Sequence, residues 1–174
     1  MISLRLLSAV IAVTAASAAF ADTPAKDTAR TEVVFDHPEN FTDVKDSDMP
    51  TDRGRDAILS RIRNFMVERS DSLLPEGYRL RIVFTDIDLA GEYEPWRGPQ
   101  WSNVRIIKAV YPPAFKFTYA VTDAAGRTVK EGSENIRDLA FQTRLAMPED
   151  DTLRYEKDIL GDWVRENLRG LKKG

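Results

Sequence analysis

Residues 114–122, AFKFTYAVT, show the most regular alternation of apolar and small or polar side chains in the chain. Because neighbouring side chains of a strand point to opposite faces, four apolar side chains would share one face of this segment. These four are Phe115, Phe117, Tyr119 and Val121. The pattern predicts a strand with one face in a core and the other in water.

A hairpin is predicted directly after this strand. Residues 123–126, DAAG, end in a glycine that can adopt the positive φ of a tight turn. Residues 127–132 are then expected to return as a second strand. Segments of similar character predict further strands at residues 31–35, 78–87 and 104–110.

Two main helices are predicted from apolar residues at helical spacing. The first begins at a cap on Thr51 or Asp52 and continues to about Leu73, before Pro75 and Gly77. The second covers residues 153–171, and a short helix is expected at 136–143. Together these elements predict an α+β fold, with a mostly antiparallel sheet of four or five strands and two main helices packed on one face.

The N-terminal residues predict export. Arg5 is followed by an apolar run too short to span a bilayer, and Ala19-Phe20-Ala21 is typical of a signal cleavage site. We expect residues 1–21 to be a signal peptide cut after Ala21, residues 22–30 a flexible leader and residues 31–171 one globular domain. The expected location is a bacterial periplasm, without membrane insertion after cleavage.

Composition excludes several kinds of chemistry. The chain has no cysteine, so thiol catalysis, disulfides and thiolate metal sites are excluded. Its formal net charge of −3 gives no general attraction to nucleic acid, which we do not expect as a partner. The one histidine, His37, lies in an irregular segment, and no phosphate-binding loop or nucleophile motif occurs. No catalytic residue, metal ligand or cofactor is assigned.

The stretch FTDIDLAGEYEPWRGPQW, residues 84–101, departs from the simple strand pattern. Alternation would place Asp86 and Asp88 on the same face as Phe84, which belongs to the apolar face. Either a bulge shifts the register and turns both carboxylates to solvent, or they point inward and need partners. Arg105 and Arg137 are the candidate partners.

This stretch also contains the candidate site. Its residues are acidic or aromatic, together with one nearby arginine: Asp86, Asp88, Glu92, Glu94, Trp96, Trp101 and Arg105. They could form a ligand or partner site, although the favoured interpretation is a bulged strand end whose two tryptophans cover the core. Glu156 and Lys157, at the start of the last helix, are expected to be solvated or to pair with groups at the sheet edge.

Several segments resemble a bacterial family, domain of unknown function number 3016. They read VVFDHPENFTDV, LLPEGYRLRIVFTDIDLAGEYEPW, VRIIKAVYPPAFKFTYAV, EGSENIRDLAF and LRYEKDILGDWV, and they cover roughly residues 32–168. The resemblance implies an exported protein of one domain. It supplies no reaction, ligand or catalytic residue.

Three functions remain open from the sequence. The favoured one is a non-enzymatic periplasmic module that binds a protein or a cell-envelope component, because no catalytic set is present. The alternatives are a hydrolase that uses two carboxylates on envelope glycan and a calcium-binding module. The D-x-D spacing alone is common and lacks the glycine and ligand count of a calcium loop.

Overall fold

The computed structural model describes residues 29–144 and 151–171. The predicted signal peptide (1–21) and all but the end of the predicted leader lie outside the described residues. None of the helices within the described ranges has both the length and the apolar character needed to cross a lipid bilayer.

A four-stranded sheet forms the centre of the fold, in the order β1-β2-β5-β6. β1 runs parallel to β2, whereas the β2–β5 and β5–β6 pairs are antiparallel. The strands of this sheet are β1 Thr31–Phe35, β2 Arg79–Asp88, β5 Ala114–Thr122 and β6 Thr128–Arg137. A separate two-stranded sheet pairs β3 Glu92–Tyr93 with β4 Arg105–Ile106.

Two helices, α1 (Asp52–Asp71) and α2 (Arg154–Leu168), contribute to one core with the sheet. The side chain of Thr51 accepts a hydrogen bond from the Gly54 N–H at 3.0 Å, which caps α1 as predicted. From α2, the Trp163 ring packs edge-on against aromatic rings of β5. The α+β prediction is therefore confirmed, with a mixed and mostly antiparallel sheet.

The core lies on the predicted apolar face of β5. Phe115, Phe117 and Val121 are almost fully buried, while the alternate residues Lys116 and Thr118 are exposed. The other buried residues of the central strands and helices are Leu80, Ile82, Phe84, Ile87, Tyr119, Leu59, Ile62, Met66, Ile159, Leu160, Trp163, Val164 and Leu168. The opposite face of the sheet carries mainly polar and charged side chains.

Three predicted elements are wrong in extent. The return strand continues to Arg137, and the predicted helix at 136–143 is reduced to a 3₁₀ turn at Phe141–Thr143. The pairing of Ile136 with Phe115 explains this, because β5 offers backbone partners along its whole length. The strand predicted at 104–110 is only the two-residue β4, because the chain turns back at residues 108–111.

A bulge in β2 resolves the register question raised by the sequence. Phe84 pairs with Phe117 and Asp86 pairs with Lys116, so Thr85 is an extra residue on the β2 side. Ile87 can therefore return to the core face, where it is fully buried. Asp86 and Asp88 consequently lie on the opposite face, and the bulge alternative is confirmed.

Candidate functional site

Residues 91–111, here called the loop lobe, leave the end of β2 and return to the start of β5. The Gly91 N–H donates to the Tyr111 carbonyl at 3.0 Å, which closes the base of the lobe. Gly91 has a φ of +79°, and a Cβ there would lie 2.6 Å from Ile107 Cδ1 and 2.8 Å from the Ile106 carbonyl oxygen. The tight base therefore requires glycine at this position.

Arg105 ties the loop lobe to the segment that precedes α1. Its guanidinium donates two hydrogen bonds to the carboxylate of Asp43, at 2.7 and 3.2 Å, and further bonds to the carbonyls of Gly91 and Lys45. It also lies 4.7 Å from the centre of the Tyr93 ring. The prediction that Arg105 pairs with Asp86 or Asp88 is wrong, since its donors are used by Asp43 and by carbonyls.

Asp86 is held by two neighbours on the open face of the sheet. Its carboxylate accepts hydrogen bonds from Lys116 Nζ at 2.8 Å and from the Thr42 N–H at 2.8 Å. Burial by itself would raise the pKa of Asp86, but the bonds from Lys116 and Thr42 outweigh it and lower the pKa below 3.8. The residue is therefore stabilised as a carboxylate.

Asp88 lies two residues further along the same face and is shifted in the opposite direction. Arg137 Nη2 is 3.3 Å from its carboxylate, which confirms Arg137 as a partner. Burial nevertheless raises the pKa of Asp88, because the charge of Arg137 offsets the loss of hydration only in part. The described contacts thus place Asp86 and Asp88 in separate cross-strand ion pairs.

Glu94 is a buried anchor inside the loop lobe. Its carboxylate accepts hydrogen bonds from Lys108 Nζ at 2.5 Å and from the Tyr111 hydroxyl at 3.0 Å, and Arg97 Nε lies 2.8 Å away. The bond from Lys108 is the main reason that the pKa of Glu94 is lowered. Glu92 is only half-buried, and one of its oxygens accepts the Tyr93 N–H.

The two tryptophans of the lobe are at the surface. Trp96 is 71% exposed and Trp101 is 36% exposed, with the Arg97 guanidinium 5.5 Å from the Trp101 ring. The interpretation of both tryptophans as a cover over the core is therefore wrong, since neither belongs to the core.

Exposed apolar residues are concentrated at this lobe. Six of the eight large exposed apolar side chains in the described residues lie in the lobe or at Met49. The hydrogen bond from the Asp48 N–H to the Ser102 carbonyl brings the Met49 segment to the lobe. The six residues, here called the apolar surface, are Met49, Trp96, Trp101, Val104, Ile107 and Val110.

A cavity of about 550 Å³ lies where the loop lobe meets the start of α2. Glu156 lines it and is 1% exposed. Its Oε1 accepts the Ala90 N–H at 2.7 Å, whereas Oε2 has no hydrogen-bond partner among the described residues. Burial raises the pKa of Glu156 above 4.5, so this carboxyl retains its proton to higher pH than a solvated one.

Sequence reasoning missed Asp43 and misjudged Glu156. The expectation that Glu156 is solvated is wrong, although its partner Ala90 does lie just beyond the end of β2. Helical spacing held a usable signal, because Glu156 precedes Ile159 and Leu160 by three and four residues and so shares their buried stripe. For Asp43 only the neighbouring apolar residues Phe41 and Val44 hinted at burial.

Within residues 29–144 and 151–171, no group of three or more histidine, aspartate or glutamate side chains is arranged to hold a metal ion. His37 is exposed and its ring is 3.0 Å from the carboxylate of Glu39. The calcium-binding alternative therefore receives no support from the described side chains.

A protein-family model matches most of the chain. The model of a family described as "Protein of unknown function (DUF3016)" matches residues 29–166, in agreement with the resemblance seen in the sequence. No curated protein and no solved structure matches the chain.

Proposed function

The chain belongs to the DUF3016 family, whose description assigns no activity. On the basis of its exposed apolar side chains, we propose that it is an exported binding module. In this proposal it works in the periplasm and recognises a protein partner through the apolar surface of the loop lobe.

The concentration of exposed apolar side chains is the observation that carries this proposal. Trp96 and Val110 are each about 70% exposed, and both lie in the same 21-residue lobe. Tryptophan, methionine and arginine are enriched at protein interfaces, and exposed apolar groupings are typical of contact sites. The Arg97–Trp101 stack adds the kind of planar, amphipathic contact that binding hot spots use.

The chemistry of the apolar surface favours a protein over a glycan as the partner. Sugar rings can stack on tryptophan, but their hydroxyl groups need hydrogen-bond partners. Aliphatic side chains such as Val104, Ile107 and Val110 supply none, so they would desolvate sugar hydroxyls at a cost. Apolar side chains of a protein partner carry no such cost.

Internal bonds hold the lobe in one arrangement before any partner arrives. The Asp43–Arg105 pair fixes its base, and the contacts of Glu94 with Lys108 and Tyr111 fix its interior. A surface that is already ordered loses less conformational entropy on binding. The internal bonds therefore give short, irregular segments the fixed arrangement that a recognition surface needs.

The proposed periplasmic location depends on residues 1–21 of the sequence, which have the charged start, apolar run and cleavage-site pattern of a secretory signal in that order. A body without cysteine is compatible with an oxidising compartment, because no thiol is present to be oxidised. Fractionation of cells that express the full chain tests this part separately. If the purified protein still begins with Met1, or if the protein is recovered with cytosolic markers, the proposed periplasmic location is contradicted.

A glycan hydrolase is not proposed. That chemistry needs two carboxyl groups facing one another across a cleft, at about 5–5.5 Å or about 6.5–9.5 Å. Asp86 and Asp88 instead lie on the same strand, and each is engaged by a cation from another strand of the sheet, Asp86 by Lys116 of β5 and Asp88 by Arg137 of β6. Neither of them lines the cavity at the loop lobe.

Site-specific photocrosslinking in intact cells tests the partner surface. A photoreactive residue at position 96 is compared with one at position 139, because Leu139 is equally exposed (74%) but lies outside the lobe. We expect a defined crosslinked protein from position 96 and not from position 139. Equal crosslinking from both positions would contradict a specific surface.

Affinity measurements with the purified crosslinked partner complete the test. Trp96→Ala should weaken binding by about tenfold or more, as expected for an interface hot spot. The matched variant Leu139→Ala should bind as the wild type does. Unchanged affinity of Trp96→Ala, with the fold intact by circular dichroism, would overturn the proposal.

A further inference from the structure

The cavity beside Glu156 has the size and the walls of a small-molecule site. Its volume of about 550 Å³ lies within the range of about 300–1,000 Å³ that is usual for such sites. It is bordered by the loop lobe, by the start of α2, by two residues of α1 (Ile58 and Arg61) and by the segment before α1. Its apolar walls are formed by Ile58, Leu89, Tyr93, Val104, Ile107 and Leu153.

Glu156 lines this cavity, and its Oε2 is a buried atom without a hydrogen bond among the described residues. A buried carboxyl oxygen without a hydrogen bond is costly, so native structures rarely leave one without a partner or a ligand. Oε1 is occupied by the Ala90 N–H, which leaves Oε2 as the atom able to bond a guest. Lys157, the next residue along the helix, is instead paired with Asp151 at 2.5 Å.

The protonation state of Glu156 determines whether Oε2 can donate a hydrogen bond to a bound molecule. Burial raises the pKa of Glu156, the negative charge of Asp151 adds to this, and Arg105 acts in the opposite direction. A protonated carboxyl can donate through Oε2, and a donor selects a carbonyl or ether oxygen of the guest.

The cations around the cavity are already engaged, which argues against an anionic guest. Arg61 bonds Asp151 at 2.8 Å, and Arg105 is paired with Asp43. Lys45 lies within 4.0 Å of carboxylates of Asp43 and Glu92, and the Arg154 guanidinium donates to the Tyr155 hydroxyl. Asp46 adds a negative charge to the lining.

We propose that this cavity binds a small uncharged molecule with an apolar body and one carbonyl or ether oxygen, which accepts a hydrogen bond from Glu156 Oε2. The apolar walls take up the body of the molecule, and the carboxyl orients it. The inference does not depend on the protein-binding role, because it rests on the cavity and on Glu156, although Val104 and Ile107 belong both to the cavity walls and to the apolar surface.

Nile red, a neutral aromatic dye that carries a carbonyl oxygen, is the probe. Its fluorescence titration with the full mature chain should show saturable binding at about pH 5, and binding at about pH 8 should be weaker to the extent that Glu156 has lost its proton. Glu156→Gln retains a donor at the Oε2 position and should bind at both pH values. Glu156→Leu removes the donor and should bind roughly five- to tenfold more weakly.

The location of the dye is checked by methyl NMR. Leu89 and Leu153 line the cavity and are buried, whereas Val110 belongs to the apolar surface and does not line it. Binding in the cavity should shift the methyl signals of Leu89 and Leu153 and leave those of Val110 unchanged.

Three results would overturn this inference. One is a dye that shifts Val110 alone, which would place it on the outer surface. Another is equal affinity of Glu156→Leu and Glu156→Gln at about pH 5, which would remove the role of the carboxyl donor. The third is an absence of saturable binding to the Glu156→Gln protein, with its fold verified by circular dichroism. That result would show that the cavity does not bind a molecule of this kind.

Discussion

Asp43 accepts two hydrogen bonds from the Arg105 guanidinium across 62 residues of chain. Both side chains are largely buried, with Asp43 at 3% and Arg105 at 16% exposure. Two backbone hydrogen bonds hold Asp43 beside the end of β2. The Asp43 N–H donates to the Ile87 carbonyl, and the Leu89 N–H donates to the Asp43 carbonyl. Two segments with little regular structure are thereby fixed to each other.

Removal of Arg105 should strongly destabilise the fold. Arg105→Leu leaves the Asp43 carboxylate buried without its closest cation, and we expect a loss of about 3 kcal/mol or more in the free energy of unfolding. Urea unfolding measures this loss. Arg81→Leu is the control, because its ion pair with Glu32 is exposed and should contribute less than about 1 kcal/mol.

A double variant separates the pair from other effects of the substitution. Asp43→Asn combined with Arg105→Leu should be less destabilised than the sum of the two single variants, because no unpaired charge remains. Strict additivity of the two losses would show that the pair is not coupled.

The stability of the protein should respond to pH through Glu156. Burial raises the folded-state pKa of Glu156 above 4.5, so its contribution is fully present below that pH and is lost as pH rises through the folded pKa. Glu156→Gln cannot ionise and should gain in melting temperature relative to the wild type between about pH 4.5 and about pH 7.5.

Glu166→Gln provides the matched control for this measurement. Glu166 lies on the same helix but is exposed to solvent. Its substitution should shift the melting temperature by a similar small amount at both pH values. A Glu156→Gln difference that does not vary with pH would refute the raised pKa.

Asp86 and Asp88 should differ although they are two residues apart. The lowered pKa of Asp86 means that its contribution to stability is present above 3.8 and is lost as pH falls through the lower folded pKa. Asp86→Asn should therefore destabilise at neutral pH, by roughly 1 kcal/mol for a partly exposed pair. Chemical unfolding at neutral and acid pH measures this loss.

The raised pKa of Asp88 gives its contribution to stability the opposite pH dependence, because that contribution is lost as pH rises through the folded pKa. Asp88→Asn should be neutral or stabilising at pH 7. Equal losses for Asp86→Asn and Asp88→Asn at that pH would contradict the opposite shifts.

The base of the loop lobe should not tolerate a side chain at Gly91. Gly91→Ala places a Cβ 2.8 Å from the Ile106 carbonyl oxygen, and the backbone there cannot move without breaking the β3–β4 pair. Gly126→Ala has a similar positive φ of +76° but meets nothing within 4 Å. Comparison of the two variants by urea unfolding isolates the clash.

Both alanine variants should lose about 1–2 kcal/mol for the positive φ, and Gly91→Ala should lose more. If the two variants lose the same amount, the close approach at the base of the lobe has no energetic consequence.

The sequence predicted β5 without error because its pattern is local and complete. Four apolar side chains at a spacing of two residues suffice to identify a strand and its buried face. The end of β6 could not be predicted in the same way. Ile136 and Arg137 are strand residues only because β5 lies beside them, and their own pattern is equally compatible with a helix.

The sequence identified candidate residues but not how they are arranged. The sequence singled out Glu94, Trp96, Trp101 and Arg105, and all four lie in the loop lobe. It did not separate the buried anchors from the exposed aromatic residues, because all of them occur in one irregular stretch. Asp86 and Asp88 lie apart from these groups, on the open face of the sheet.

By itself the sequence determined the order of the long strands and the two main helices, the buried face of β5 and the need for a bulge or a partner at Asp86, since side-chain periodicity is a property of a few consecutive residues. Only the tertiary structure decided that Arg105 pairs with Asp43, that Glu156 is buried beside a cavity and that both tryptophans of the lobe face outward. Those outcomes depend on distances between segments far apart in the chain, and both the burial and the charge state of a side chain follow from what the other segments place around it.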